Sequence, residues 1–336
     1  MSISLPNKLV QKLGGQKGPV HIVRLNENGN YCFSGGRDRA IHLWNPLKGK
    51  HVYSFEGGHG FDVTSLAIDT SNSMFASGGM DKLVLVWDIA HTRIKTRLRG
   101  HSQKINCLAF DKSTNILASG SSDKTVRLWD MRARSFTPIQ ILTEAKDGIT
   151  SIEILSSSIF TSSIDGSLRT YDLRTGKVTV DSIGVPITSM AVSHDRNCFI
   201  ASCLSGAVHL VDRISGDELN QFKGHKHEKF QVECCFSEDD SVVICGSEDG
   251  KVFFWDLVEG TVVCSPQAHT SVCSSLCYGM CSSLGGLPLL VTASADGSIC
   301  VWSDETFVDK VAETSRKETV GTPFMETRTR LPLLFT

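Results

Sequence analysis

The sequence predicts an all-β fold: a closed ring of seven four-stranded blades. Three observations carry this. First, one phrase recurs seven times, a small-residue turn with an Asp, about five alternating residues, then a terminal position that is usually Trp-Asp. Second, the terminal position falls at Trp44, Trp87, Trp129, Tyr171, Val211, Trp255 and Trp302, so successive steps are 43, 42, 42, 40, 44 and 47 residues. Third, seven blocks of that length consume residues 8–312 of the 336 as one array, leaving 313–336 as a tail that breaks the period.

Block three shows how each element arises. Ile105-Asn106-Cys107-Leu108-Ala109-Phe110 is a short apolar run and Asp111-Lys112-Ser113-Thr114-Asn115 is a turn by composition. Ile116-Leu117-Ala118-Ser119 forms a second strand, Ser121-Ser122-Asp123-Lys124 a tight turn, and Thr125-Val126-Arg127-Leu128-Trp129 a third strand that alternates with period two. The fourth, outer strand lies near Ile139–Leu142. Leu9-Val10-Gln11-Lys12-Leu13 resembles an outer strand with no block before it, so it is expected to complete blade seven and close the ring, removing an exposed sheet edge.

With Gly58-His59 leading to Ser77-Gly78-Gly79-Met80-Asp81 and Trp87-Asp88, and Gly100-His101 leading to Ser119-Gly120-Ser121-Ser122-Asp123 and Trp129-Asp130, the chain resembles the WD-repeat family. That likeness implies a seven-bladed WD-repeat β-propeller. It also implies that His59, Ser77, Asp81 and Trp87, repeated as His101, Ser119, Asp123 and Trp129 and as His269, Thr292, Asp296 and Trp302, form hydrogen-bonded chains inside the blades rather than hydrolase triads. A catalytic set is needed once, whereas this one recurs at graded quality. Block six has His225, Asp249 and Trp255 but Cys245 at the hydroxyl position; block one lacks the His before Ser34, Asp38 and Trp44. Block four keeps Thr161, Asp165 and Tyr171, and block five has only Ala201, Ser205 and Val211, so blades four and five are expected to be the most mobile.

Composition bounds the remaining functions. Lys and Arg total 34 against 36 Asp and Glu, so no net field draws the chain to nucleic acid or an anionic membrane. Apolar runs fall well short of the roughly 20 residues of a membrane helix, and Met1 to Leu13 lacks the apolar core of a secretory signal. A cytoplasmic and nuclear location is therefore expected. The 12 cysteines read as small buried hydrophobes in a reducing compartment. Cys273, Cys277 and Cys281 lie on one strand-like segment without Cys-x-x-Cys pairs, and His225-Lys226-His227 reads as the repeat's own histidine in a solvated loop, so neither is assigned a metal. No phosphate-binding loop, nucleophile elbow or His-Glu-x-x-His motif is present, and no cofactor or catalytic residue is expected.

Binding chemistry is then left to the rims. The residues before each turn Asp, Arg37, Met80, Ser122, Ile164, Leu204, Glu248 and Ala295, should project at the narrower rim, joined from the preceding loops by Phe61, Asp62, Lys104, Lys229 and Phe230. Met80, Ile164 and Leu204 would give an apolar centre flanked by Arg37 and Glu248, the pattern of a protein partner site; the plainer reading is scattered surface residues. In the tail, Thr322-Pro323 resembles a proline-directed phosphorylation site, and Arg328-Thr329-Arg330-Leu331-Pro332-Leu333 a kinase docking peptide.

A nearer likeness rests on Gly29-Asn30-Tyr31-Cys32, Leu43-Trp44-Asn45-Pro46-Leu47, Glu144-Ala145-Lys146-Asp147-Gly148, Pro186-Ile187-Thr188, Gly224-His225-Lys226 and the long stretch Ser247 to Gly260. These resemble the mitogen-activated protein kinase organizer family of WD-repeat scaffolds over roughly residues 10–303. The resemblance implies a non-catalytic adaptor for kinase-cascade proteins, or alternatively a spliceosome-associated subunit in messenger-RNA processing acting through protein contacts. A third reading comes from Trp129-Asp130-Met131-Arg132 and Tyr171-Asp172-Leu173-Arg174, which resemble the box of propellers that serve as substrate receptors of cullin-RING ubiquitin ligases. A monomeric propeller binding proteins, without nucleic acid or membrane, is the expected form.

Overall fold

The computed structural model describes residues 5–111, 115–133, 136–155 and 157–304. They form seven antiparallel four-stranded sheets, six of them built from four consecutive strands. Blade three is Ile105–Phe110, Ile116–Ser121, Val126–Asp130 and Gln140–Leu142. The seventh sheet is Cys273–Cys281, Leu287–Ser294 and Ile299–Ser303, completed by Lys8–Leu13 from the other end of the chain. Leu9 lies opposite Trp302 and Leu13 opposite Ile299, and Leu13 is buried, so the closing strand both satisfies the edge and fills the core. The tail motifs and the expected end at residue 312 lie outside the described residues.

Burial follows strand position. The first three strands of a blade are sandwiched between neighbouring blades and largely buried, whereas fourth strands such as Val178–Ser182 are mostly exposed. Between blades one and two the space is filled by aromatic rings: Phe33 and Phe75 have centroids 4.9 Å apart, and Phe75 stacks on Trp87 at 5.8 Å with an interplanar angle of 7°. Each such side chain contributes roughly 1.5–3 kcal/mol by leaving water.

The blades are also tied around the channel. In six of the seven first strands the register slips at the second residue, His21, Thr64, Asn106, Thr150, Thr188 or Ser274. A bulge turns its extra residue off the ladder, and five of these side chains reach the next blade. His21 meets Asp62 at 3.0 Å, Thr64 donates to the Ile105 carbonyl, Asn106 to that of Ile149, Thr188 to that of Val232, and Ser274 to that of Val20. Ser151 spans blades four and five by donating to the Met190 carbonyl, and the Glu233 amide spans six and seven by donating to that of Ser274. Arg24 of blade one also passes blade seven to hold Glu233 through both carboxylate oxygens, at 2.7 and 2.9 Å.

One expectation gains a detail and one needs correction. Block one lacks the His, and Gln16 stands in its place, linking Asp38 to Ser34. His225 and His227 are not in a solvated loop, being 6% and 0% exposed. The loop folds inward because His227 Nδ1 meets Ser202 Oγ of blade five and its Nε2 meets the Phe230 carbonyl.

Candidate interaction rim

The turn Asp builds the rim. Its carboxylate accepts the amide two residues on, as Asp81 does from Leu83 at 3.1 Å and Asp123 from Thr125 at 3.1 Å, which folds the turn. The residue before it then donates its own amide to the preceding loop: Arg37 to the Pro19 carbonyl, Met80 to Asp62, Ser122 to Lys104, Ile164 to Gly148, Leu204 to Pro186, Glu248 to Lys226 and Ala295 to Val272, all at 2.9–3.1 Å. Those backbone bonds make the seven positions equivalent and place turns and preceding loops on one rim. The residue after the Asp, or after Ser205 in blade five, is left-handed in every blade, Arg39, Lys82 and Lys124 in the first three and Gly166, Gly206, Gly250 and Gly297 in the rest.

Beneath the rim lie the polar chains. In blade two the Trp87 indole donates to Ser77 Oγ at 2.8 Å, Ser77 meets His59 Nε2 at 2.7 Å, and His59 Nδ1 meets Asp81 at 2.9 Å. A carboxylate only accepts, so Nδ1 carries the proton and Nε2 accepts from the hydroxyl. Blade three repeats this at 2.9, 2.8 and 2.9 Å. Burial pushes the Asp81 carboxyl up, but the His59 ring and the amides of Leu83 and Gly60 outweigh it and hold it below the usual range. Blade one runs Trp44–Ser34–Gln16–Asp38, and in blade seven Ser298 enters between His269 and Asp296, 2.6 Å from Nδ1, while the carboxylate stands off at 3.9 Å. Each hydroxyl is engaged on both sides and His59 and His101 are buried, so these triads have no open nucleophile.

The exposed chemistry sits above. Phe61, Met80, Ile164 and Phe230 are 63%, 43%, 42% and 55% exposed, Arg37, Lys104 and Lys229 are exposed, and Leu204 is half-buried. Met80, Lys104 and Phe230 come together at the channel mouth, lining a cavity of about 330 Å³ with His21, Asn106, Gln231, Glu233 and Ala295. Arg37, Phe61, Asp62, Ile164, Leu204, Lys229 and Glu248 do not line it. Two of the seven are committed elsewhere. Asp62 is held by His21, and one Glu248 oxygen accepts the amides of Glu228, Lys229 and Phe230 at 2.8, 2.6 and 2.9 Å. Burial raises the Glu248 carboxyl, yet those amides outweigh it and leave it ionised below its usual range. Glu248 thus shapes the loop that presents Lys229 and Phe230. Sequence reasoning missed His21, Asn106 and Gln231, which line the cavity from two bulges and from the loop before blade six; His21 and Asn106 share one regular signal, the position directly after the strand's first apolar residue, and Gln231 has none.

Arg132 and Arg174 lie on the opposite rim, exposed, each amide capping the Asp two residues before it at 2.9 and 2.8 Å. Ile214 and Val258 make the same cap in blades five and six. Among the described residues no cluster of three or more His, Cys, Asp or Glu is placed to hold a metal, and no helix is long and apolar enough to cross a membrane.

Comparison with known proteins agrees with this geometry. Residues 7–45, 49–88, 92–130, 216–256 and 260–303 match the WD domain, G-beta repeat family, and the gap falls on blades four and five, whose polar chains are altered. Over 303 residues the chain is 44% identical to WD repeat domain-containing protein 83 of Rattus norvegicus and 41% identical to that of Homo sapiens, covering 90% of this chain and 94% of each relative. An uncharacterized WD repeat-containing protein of Schizosaccharomyces pombe is 41% identical over 265 residues, 79% of this chain and 88% of its own. Seven blades, recurring Trp–Ser–His–Asp chains and these likenesses lead to one assignment: the chain belongs to the WD-repeat family, among the relatives of WD repeat domain-containing protein 83.

Proposed function

We propose that this propeller is a non-catalytic protein-interaction scaffold that uses the Asp-turn rim as its binding face and gathers components of a mitogen-activated protein kinase cascade. The observation that carries the binding face is the division of labour at each turn. The Asp serves the fold, whereas the residue before it is held by its backbone amide, and among the described residues its side chain makes no hydrogen bond of its own in five of the seven blades, Ser122 with Asn106 and Glu248 with its loop being the exceptions. Apolar and cationic side chains gathered at a channel mouth are the composition of a protein contact. The cascade role rests on the likeness of residues 10–303 to the organizer family, and the names of the relatives speak only of their repeats.

The test is affinity purification with mass spectrometry from cells carrying the wild type or Arg37→Glu/Met80→Asp/Leu204→Asp, with matched melting curves. Loss of kinase-cascade proteins in the variant supports the reading and locates its site. Loss of spliceosomal proteins instead replaces the cascade with messenger-RNA processing. An unchanged list sinks the rim as the binding face, and Arg132→Ala/Arg174→Ala then tests a ubiquitin-ligase adaptor contact on the other rim.

A further inference from the structure

We infer that the partner segment recognised by this rim is an acidic peptide with one apolar anchor, seated over blades one to three. The inference rests on the rim being the binding face and adds the chemistry of what it takes.

The whole chain is almost neutral, but the rim is not evenly so. The loops and turns of blades one to three, residues 14–19, 36–40, 56–62, 79–83, 99–104 and 121–125, carry the cations Lys17, Arg37, Arg39, Lys82, Lys104 and Lys124, with Arg99 at the outer edge. All seven are exposed and none is ion-paired among the described residues. The same segments hold five acids, Asp38, Glu56, Asp62, Asp81 and Asp123, so the seven cations outnumber them by two. Four of those acids are turned to histidine ring nitrogens, Asp38 to His42, Asp81 to His59, Asp123 to His101 and Asp62 to His21. The corresponding loops and turns of blades four to seven, by contrast, carry Lys146, Lys226, Lys229 and Lys251 against Glu144, Asp147, Asp165, Glu228, Glu248, Asp249 and Asp296, so acids outnumber cations there. A one-sided excess of cations attracts and orients an acidic segment and repels a basic one.

Two further observations place the contact. Phe61 and Met80, the most exposed apolar side chains of this sector, stand among these cations, and Met80 opens into the mouth cavity beside Lys104 and Phe230, a seat for one apolar side chain. The left-handed turn position is glycine in blades four to seven but Arg39, Lys82 and Lys124 in blades one to three, so the cations occupy backbone that a glycine would adopt more readily. The other channel mouth differs: its cavity is lined by Glu27, Asp69, Glu153 and Glu238, with Arg24 tied to Glu233. An acidic segment is directed to one end of the ring only.

Panning the full chain against a random 12-residue peptide phage library tests this, followed by anisotropy titrations of the enriched peptides, fluorescein-labelled, at low and physiological salt. The expected peptides are net negative with a single aromatic or aliphatic residue. Their affinity should fall about tenfold or more with added salt and in Arg37→Glu/Lys82→Glu/Lys104→Glu, and about tenfold in Met80→Asp, all with wild-type melting curves. Neutral or basic enriched peptides, equal binding by the charge-reversed variant, or no enrichment at all would overturn the inference. So would a single-stranded RNA oligonucleotide that binds this sector and displaces the peptides, since the ligand class would then be wrong. If acidic peptides fail while Arg37→Glu/Met80→Asp/Leu204→Asp still loses its cellular partners, the chemistry falls and the binding face stands. If the peptides bind this sector but the cellular list is unchanged, the binding-face reading falls alone.

Discussion

Blades three and six begin with the same Gly-His and end with the same Trp-Asp, yet their histidines do opposite things. In blade three His101 sits between Ser119 and Asp123, and the Trp129 indole closes the chain on Ser119. In blade six the hydroxyl position is Cys245, a poor acceptor whose thiol meets Ser202 of the adjacent blade at 3.6 Å. The Trp255 indole turns to the Lys223 carbonyl instead, at 3.1 Å, and both ring nitrogens of buried His225 are left without a partner. One oxygen-to-sulfur exchange therefore converts a stabilising imidazole into an unpaid desolvation. The ring survives it because His225 still packs against Trp255, centroids 5.3 Å apart. Blades one, four and five have the complementary defect. They lack the loop histidine, and a polar residue at the second position of the third strand, or next to it, engages a carboxylate: His42 with Asp38, Arg169 with Asp165, and His209 with Glu218.

The largest effect that would break this comparison lies in blade four. Arg169 and Asp165 are 2.7 Å apart with side chains 3% and 8% exposed, so Arg169→Leu leaves a buried carboxylate with only the Lys146 and Ser167 amides and no countercharge, and should cost about 3–5 kcal/mol in denaturant unfolding. Adding Asp165→Asn should recover part of the loss. A cost below about 1 kcal/mol would mean that Arg169 does not stand in for the missing histidine.

The paired substitutions His101→Phe and His225→Phe come next and differ in sign. The first removes one hydrogen-bond partner from each of Asp123 and Ser119 and should cost about 2–4 kcal/mol, whereas the second removes two unpaired buried nitrogens against Trp255 and Phe253 and should stabilise by about 1 kcal/mol. Equal losses would show that His225 has partners after all.

Acid sharpens the same contrast. Burial pushes His225 from 6.5 down to about 4, and burial likewise takes His269 down to about 4. Both bind protons more weakly folded than unfolded, so the stability each carries is complete above about pH 6.5 and lost as pH falls from 6.5 toward 4, on the order of 3 kcal/mol each. The carboxyls of Asp81, Asp123 and Asp296 are held low despite burial, so their contribution fails only below the ordinary 3.8. His225→Phe should therefore flatten the loss between pH 6.5 and 4 and leave the steeper fall below it intact. Identical stability curves for variant and wild type across that window would rule out His225 as a neutral buried group.

What was legible in the sequence was whatever repeats. Seven tight turns, six of them with an Asp, and a period in the forties were enough for the ring, the closing strand at residues 8–13 and the alignment of the rim positions. Gln16 is marked by spacing, lying 18 residues before Ser34, the separation of His59 from Ser77 and of His101 from Ser119, while its residue type departs from the repeat. The burial of His227 was not legible, because its partner Ser202 lies 25 residues back on another blade and no local pattern marks such a pair. Nor was the commitment of Glu248, whose three amides come from a loop 18 to 20 residues earlier. Long-range satisfaction of single polar groups is set by how blades meet, and the period is silent on that.

The smallest effect separates fold from function within one turn. Lys82 and Lys124 are left-handed at φ 67° and 71°, where blades four to seven have glycine. That region costs an L residue about 1–2 kcal/mol, against roughly 0.5–1 kcal/mol of extra chain entropy lost by glycine, so Lys124→Gly should stabilise the propeller by about 0.5 kcal/mol. The Lys124 ammonium donates only to the Lys146 carbonyl at an exposed site, which offsets little of that gain. Asp123 keeps its turn and its histidine, so the polar chain below is untouched. If the cation is kept for what it binds, Lys124→Gly will weaken an acidic peptide while raising the melting temperature. A lower melting temperature would instead place Lys124 among the residues that hold the blade, and the strained cations of blades one to three would lose their meaning as a binding device.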